Sequence, residues 1–153
     1  MSILTPHPAS LSPRPPERID TSIKALTLDL GLLLLRSWLG LSMLLIHGVA
    51  KLQSFGPTVA TFHDKMGIPT PLAVVAVFAE SFGSLMIVAG FATRLAALVM
   101  MVQMSVAFTL VHHLILAQGN PQSGELAFIY LGGFATLLLT GGGRFSVDTK
   151  LFK

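Results

Sequence analysis

The chain has 153 residues, of which 52% are hydrophobic and 11% are charged, and its mean hydropathy is +0.74. Soluble domains carry about 25% charged residues, so this composition excludes an ordinary soluble domain and is typical of an integral membrane protein. No cysteine is present, which excludes disulfides, iron–sulfur clusters and thiol chemistry. The net charge of +3 comes from scattered basic residues, so no nucleic-acid partner is expected.

The chain divides into three predicted parts. Residues 1–24 are rich in proline and are predicted to form a disordered cytoplasmic tail. Residues 25–148 contain the apolar runs and are predicted to form one membrane domain. Residues 149–153 are then a short cytoplasmic C-terminal end.

Four apolar runs are candidate membrane spans, at residues 30–50, 72–91, 95–117 and 126–140. A span needs roughly 20 mostly apolar residues to cross about 30 Å of hydrocarbon, and the fourth run is short of that length. The fold class predicted from this pattern is all-α, an integral membrane four-helix transmembrane bundle. Residues 92–94 leave room only for a tight turn between the second and third spans.

A short amphipathic helix is predicted on the outer surface between the first two spans. Apolar residues recur there at helical spacing, at Phe55, Val59, Phe62 and Met66. Gly67 and Pro69 then supply the signal that ends a helix.

Lysine and arginine residues are distributed unequally about the spans. Seven lie on the side of the termini and of the turn at 92–94, whereas two, Lys51 and Lys65, lie on the other side. Basic residues favour the cytoplasmic side, so both termini are predicted to be cytoplasmic.

The first span carries polar residues on one face. At about 100° per residue a single stripe collects Asp29, Arg36, Gly40, Met43, His47 and Lys51. A charge at the bilayer centre costs about 2.5–3.5 kcal/mol on insertion scales, so this stripe is expected to face the bundle interior. Glu80 of the second span and Gln103 of the third are the predicted partners of Arg36, in a buried polar triad. The residues leave open whether this triad fixes the helix register or takes part in catalysis.

A second polar group is expected near the outer face, and it contains His47, Lys51, His113 and Glu125. On helical geometry His113, rather than His112, is predicted to face inward. The histidines and the carboxylate lack the spacing of a metal site, so no metal is predicted. A pocket for a ligand or a protein partner is the functional interpretation, and interfacial polar residues are the structural one. No motif identifies catalytic residues or a reaction.

Several segments taken in order resemble the DoxX family of small four-helix membrane proteins. They are the residues Arg36, Gly40, His47-Gly48 and Lys51-Leu52, followed by MGIPTP, AESFGSLMIVAGFATR and GELAFIYLGGFATLLLTGGGRFSVD. The resemblance covers about residues 30–148. It implies a bacterial inner-membrane protein associated with quinone-linked redox systems and with complexes for oxidative stress. The family pattern picks out Arg36, His47, Lys51, Glu80 and Glu125.

Three hypotheses follow, and whether the chain is itself an enzyme stays open. The first is a membrane subunit of a quinone-linked redox or oxidative-stress complex, with quinone as the cofactor that the resemblance implies. The second is a non-catalytic membrane scaffold or assembly protein. The third is a small-solute carrier, which is disfavoured because no inverted repeat is visible. The expected partners are the lipid bilayer and either other membrane or peripheral proteins or further copies of the chain.

Overall fold

The computed structural model describes residues 18–117 and 119–151, with side chains from residue 21 onward. The described elements are α1 (Arg18–Ser42), the π-helical segment π1 (Met43–Gly48), α2 (Val49–Gln53), α3 (Phe55–Met66), α4 (Thr70–Ala89), α5 (Thr93–Val106), the π-helical segment π2 (Ala107–Val111), α6 (Glu125–Thr140) and α7 (Val147–Leu151). The described ranges contain helices and turns but no strand, so the all-α prediction is confirmed.

Three helices are long and apolar enough to cross a membrane. They are the continuous helix Thr21–Gln53, which joins α1, π1 and α2, then α4, and the helix Thr93–Val111, which joins α5 and π2. The fourth helix, α6, is apolar but has 16 residues, which is about 24 Å of helix. The third span is shorter than predicted because the chain leaves the helix at His113 and Leu114, which have φ values of 51° and 60°.

These three helices and α6 form a closed bundle. α1 packs on α4, α4 on α5, α5 on α6, and α6 returns to α1. The centre is filled by fully buried side chains, the largest being Phe134, Met43, Ile87, Met100 and Leu137. Large apolar side chains also cover the outside, where Trp38 is 73% exposed. An apolar exterior of this extent fits a hydrocarbon environment.

Two glycines of the first helix set its register against α4. A Cβ built at Gly40 would lie 2.6 Å from Val88 Cγ2 and 2.9 Å from the Ser84 carbonyl oxygen, and one built at Gly48 would lie 3.3 Å from Ser81 Cα. These close approaches require small residues at both positions. Arg36 therefore lies near the C-terminal end of α4, whereas Lys51 lies beside its middle.

The predicted amphipathic helix between the first two spans is confirmed as α3. Its buried Val59 packs with Ala73 and Val77 of α4, and Phe55 and Phe62 pack around them. α3 ends at Gly67, whose φ of +66° is the left-handed conformation that commonly terminates helices.

The domain boundaries need correction at both ends of the chain. α1 begins at Arg18, so residues 18–24 are helical rather than part of a disordered tail. Residues 1–17, the rest of that predicted tail, lie outside the described residues. α7 spans Val147–Leu151 and so crosses the predicted boundary at residue 148, while residues 152–153 lie outside the described part.

Candidate functional site

The interior of the bundle contains two polar sites on the inward stripe of the first helix. We call them the Arg36 site and the Lys51–Glu80 site. Fifteen residues separate Arg36 from Lys51, which is roughly 22 Å along a helix axis. The stripe is buried or half-buried from Asp29 to Lys51, as its periodicity predicts.

The Lys51–Glu80 site is built around a buried ion pair. Lys51 Nζ lies 2.5 Å from Glu80 Oε2, and the Glu80 side chain is 5% exposed against 28% for Lys51. The Phe62 ring of α3 lies beneath the ammonium, 5.6 Å from Nζ to the ring centroid. The lysine side chain and α3 therefore cover the buried carboxylate from one end of the bundle.

His47 adds an imidazole to this ion pair. It lies in π1, it interacts electrostatically with both Glu80 and Lys51, and its ring meets that of Tyr130 edge-on at 6.4 Å between centroids. The Tyr130 hydroxyl donates to Ser42 Oγ at 2.8 Å. Single π-helical turns inside α-helices are frequent at functional sites, because they redirect side chains without ending the helix.

Two acceptor oxygens in the interior of the bundle have no donor among the described residues. They are Glu80 Oε1 and Gln103 Oε1, and both atoms are buried. The Gln103 side chain donates through Nε2 to the Ala76 carbonyl at 2.6 Å, one helical turn before Glu80 on α4. A buried acceptor without a partner costs about 1–3 kcal/mol, so the site favours a ligand or water that brings a donor.

The Arg36 site is closed by the C-terminal segment, which we define as residues 141–151. Arg36 is 2% exposed, donates through Nη2 to the Phe145 carbonyl, and interacts electrostatically with Asp148. A Cβ built at Gly90 would overlap the guanidinium, so the surroundings are tightly packed. Nε and Nη1 of Arg36 have no hydrogen-bond partner in the described ranges.

Asp148 fastens the C-terminal segment to the bundle. Its carboxylate accepts from the backbone N–H groups of Ala92 and Thr93 and from Thr93 Oγ1, the last at 2.7 Å. These donors stand at the N-terminus of α5, where a negative charge is stabilised by the helix dipole. Asp29 makes a further link by accepting from the Arg144 backbone N–H at 2.9 Å.

The predicted triad of Arg36, Glu80 and Gln103 is wrong in its contacts. Each of the three side chains is inside the bundle, but Glu80 pairs with Lys51 and Arg36 bonds to the C-terminal segment. The prediction aligned the ends of the apolar runs. The glycine contacts instead place Arg36 beside Gly90, ten residues and about 15 Å from Glu80 along α4.

Two of the four residues of the predicted outer polar group lie close together in the structure. Lys51 pairs with Glu80 and His47 interacts electrostatically with both, whereas His113 and Glu125 are exposed. The prediction that His113 faces inward is wrong, since the helix stops before it. His112 is the half-buried histidine of the two, with Nδ1 3.0 Å from the Gln122 carbonyl oxygen. The described residues contain no group of three His, Asp or Glu side chains placed to hold a metal ion.

The sequence reasoning missed Asp148 and Tyr130. Asp148 ends the sequence GGGRFSVD, and a Ser-Val-Asp sequence after a glycine turn was a usable signal for a capping carboxylate. Tyr130 is the chain's one tyrosine and lies in an apolar run, where a buried hydroxyl needs a partner. Neither residue's partner is visible from local spacing.

Comparison with known proteins assigns the family. The family model DoxX matches residues 31–113. This chain belongs to the DoxX family. A Haemophilus influenzae (strain ATCC 51907 / DSM 11121 / KW20 / Rd) protein, described as an uncharacterized protein, is 31% identical over 116 residues, which is 72% of this chain and 84% of the relative. No solved structure matches the chain. The DoxX match includes both halves of the Lys51–Glu80 site and stops before the C-terminal segment.

Proposed function

We propose that this DoxX-family chain is a membrane subunit of a quinone-linked redox or oxidative-stress complex, and that a quinone headgroup binds at the Lys51–Glu80 site. The observation that supports the proposal is the buried acceptor oxygen Glu80 Oε1 in the ion pair with Lys51, together with a second buried acceptor, Gln103 Oε1, on a side chain that bonds to α4 one helical turn before Glu80. A quinone pocket needs an apolar body with a few polar groups at the two oxygen atoms of the ligand.

The site offers hydrogen-bonding groups for both forms of such a ligand. A quinone carries two electrons and two protons between partners, and its oxygens accept hydrogen bonds when oxidised and donate them when reduced. The Lys51 ammonium donates to a carbonyl, and Glu80 Oε1 accepts from a hydroxyl. Tyr130, Phe62 and the surrounding aliphatic side chains supply apolar contact.

In our proposal a ligand reaches this site when α3 moves aside. α3 contacts the ion pair through Phe62, and irregular backbone flanks it at Ser54 and at Gly67. Flanks of this kind allow a short helix to move as a unit. The ligand's tail then extends into the bilayer beside α4.

The experiment is a binding measurement on the purified chain in lipid nanodiscs. A short-chain ubiquinone analogue is titrated against the unaltered chain, Glu80→Gln and Lys51→Gln, with Lys65→Gln as the matched control on an exposed lysine of α3. Loss of a charged hydrogen bond predicts at least about tenfold weaker binding for the first two variants and no change for the control. Equal affinity in all four proteins, or no binding to any of them, contradicts the proposal and favours a scaffold.

The length of α6 supports protein partners next to it. With 16 residues it covers about 24 Å of a hydrocarbon core of about 30 Å. A short span is accommodated by a thinner bilayer or by association with other helices. We therefore place the contact with another subunit, or with a second copy, on the exposed side of α6 that carries Phe128 and Ile129.

We further propose a bacterial inner-membrane location with both termini in the cytoplasm. The exposed basic side chains Arg94, Arg144 and Lys150 support this orientation, because they lie at the end of the bundle that carries the C-terminal segment.

The orientation has a direct test because the sequence has no cysteine. A cysteine at Lys150 is expected to be protected from an impermeant thiol reagent in intact cells, and one at Asn120 is expected to react. The reverse labelling pattern would overturn the orientation.

A further inference from the structure

A pocket lies at the opposite end of the bundle from the Lys51–Glu80 site. It has a volume of about 500 Å³ and opens between the N-terminus of α5 and the C-terminus of α6. Its lining includes the polar residues Thr93, Arg94, Ser146 and Thr149. None of these groups takes part in the proposed quinone site.

The pocket lining contains one basic and one acidic side chain, Arg94 and Asp148, and further basic residues lie around it. Arg94 lines it and donates through Nη2 to the Leu139 carbonyl at 3.2 Å, while the residue stays exposed. Arg144 and Lys150 are also exposed, and both lie on the C-terminal segment that forms the base. The Asp148 carboxylate in the lining is bound to the backbone N–H groups of Ala92 and Thr93. Its oxygens are thereby occupied and its charge is offset by the helix dipole and by Arg36, so the exposed basic side chains are the groups left to attract an anion.

The rim of the pocket is apolar where it meets the bilayer. Leu95 follows Arg94 and is 60% exposed, and Leu139 precedes Thr140 and is 77% exposed. Both helix ends are also where a membrane span leaves the hydrocarbon and enters the headgroup region. A matching ligand has a negatively charged polar head and apolar chains attached to it.

We propose that this pocket binds the phosphate headgroup of an anionic phospholipid, with its acyl chains along Leu95 and Leu139. Arg94 is the central contact, because it is the basic residue that lines the pocket and adjoins the apolar rim. Arg144 and Lys150 add attraction from the C-terminal segment. Basic pockets at the ends of membrane helices are suited to this class of lipid.

The experiment is native mass spectrometry of the chain released from nanodiscs that contain equal amounts of phosphatidylglycerol and phosphatidylcholine. We expect retained phosphatidylglycerol to exceed phosphatidylcholine, and retention to fall about fivefold in Arg94→Gln, as expected for one basic residue at an anionic surface. Lys65→Gln is the charge-matched control at the other end of the bundle, and it should retain lipid as the unaltered chain does.

Two further measurements distinguish a specific lipid site from a folding defect and from a site for free phosphate. Arg94→Lys keeps the charge and is expected to restore retention, which a general folding defect in Arg94→Gln would not explain. Equal retention of the two lipids, or an Arg94→Gln variant that matches the unaltered chain, overturns the proposal. Displacement of the lipid by millimolar inorganic phosphate overturns the lipid assignment in favour of a free-phosphate site.

Discussion

Arg36 and Lys51 lie on the same inward stripe of one helix, and the bundle surrounds the two cations in different ways. Arg36 is enclosed by Gly90 and by the C-terminal segment, and its Nη2 donates to the backbone carbonyl of Phe145. Lys51 is more exposed, bonds to a carboxylate, and is covered by α3. One cation is fully buried, and the other belongs to an ion pair whose lysine is partly exposed.

The unpaired atoms at the two sites also differ in kind. Those of Arg36 are donors, Nε and Nη1, in a region without space for a further side chain beside Gly90. Those of the other region are acceptors, Glu80 Oε1 beside a partly exposed lysine and Gln103 Oε1 on a side chain that bonds to α4 one turn before Glu80. Burial of charge alone therefore does not separate the two sites, whereas the exposure of the cation and the kind of unpaired atom do.

The largest expected effect follows from removing the cation of the Lys51–Glu80 pair. Lys51→Met strands a buried carboxylate and is expected to lower the free energy of unfolding by about 3–5 kcal/mol. Glu80→Gln is expected to cost less, because the lysine reaches solvent. Thermal unfolding in detergent, with the double variant, measures the coupling, and strictly additive losses would show that the two side chains do not interact.

Gly90→Ala tests the close packing of the Arg36 site. The residue has a φ of +69°, and an added Cβ would overlap the guanidinium. Left-handed strain of about 1–2 kcal/mol and overpacking of about 1–3 kcal/mol together predict a loss of about 3 kcal/mol. Gly132→Ala is the control, since nothing lies within 4 Å of its Cβ position in α6. A Gly90→Ala protein as stable as the control would contradict this packing.

Asp148→Ala tests how the C-terminal segment is held. It removes the acceptor for three donors at the start of α5, and the loss of such a cap predicts a destabilisation of about 2 kcal/mol. Hydrogen exchange is expected to rise at Thr93 and in the C-terminal segment but not at Lys51. Unchanged exchange at Thr93 would mean that the carboxylate does not cap α5.

Gln103→Met has the smallest expected effect on stability. The substitution removes one bond to the Ala76 carbonyl and also removes a buried acceptor without a donor, so the two changes oppose each other. We expect a net change below about 1 kcal/mol in thermal unfolding, together with weaker binding of the quinone analogue. A large loss of stability with unchanged binding would show that Gln103 stabilises the fold and does not contribute to ligand binding.

The sequence by itself determined that the protein lies in a membrane, which segments form helices and which helix face is buried. Runs of apolar residues require hydrocarbon, a 100° stripe of polar residues has to face inward, and the spacing from Phe55 to Met66 with Gly67 after it specifies α3. These features depend on residues near one another in the chain. The inward placement of Arg36, Glu80 and Gln103 was predictable for the same reason.

The tertiary structure alone decided which polar groups meet. Gly40 and Gly48 approach Ser84 and Ser81, and that register pairs Glu80 with Lys51 rather than with Arg36. The π-helical turns shift side chains within a span, and the end of the third span at Val111 leaves His113 exposed. The hydrogen bonds and ion pairs at these sites join residues that are far apart in the chain. Which residues pair therefore depends on how far one packed helix is shifted along its neighbour, and shifts of less than one helical turn matter. Apolar periodicity fixes which face of a helix is buried but carries no information about that shift.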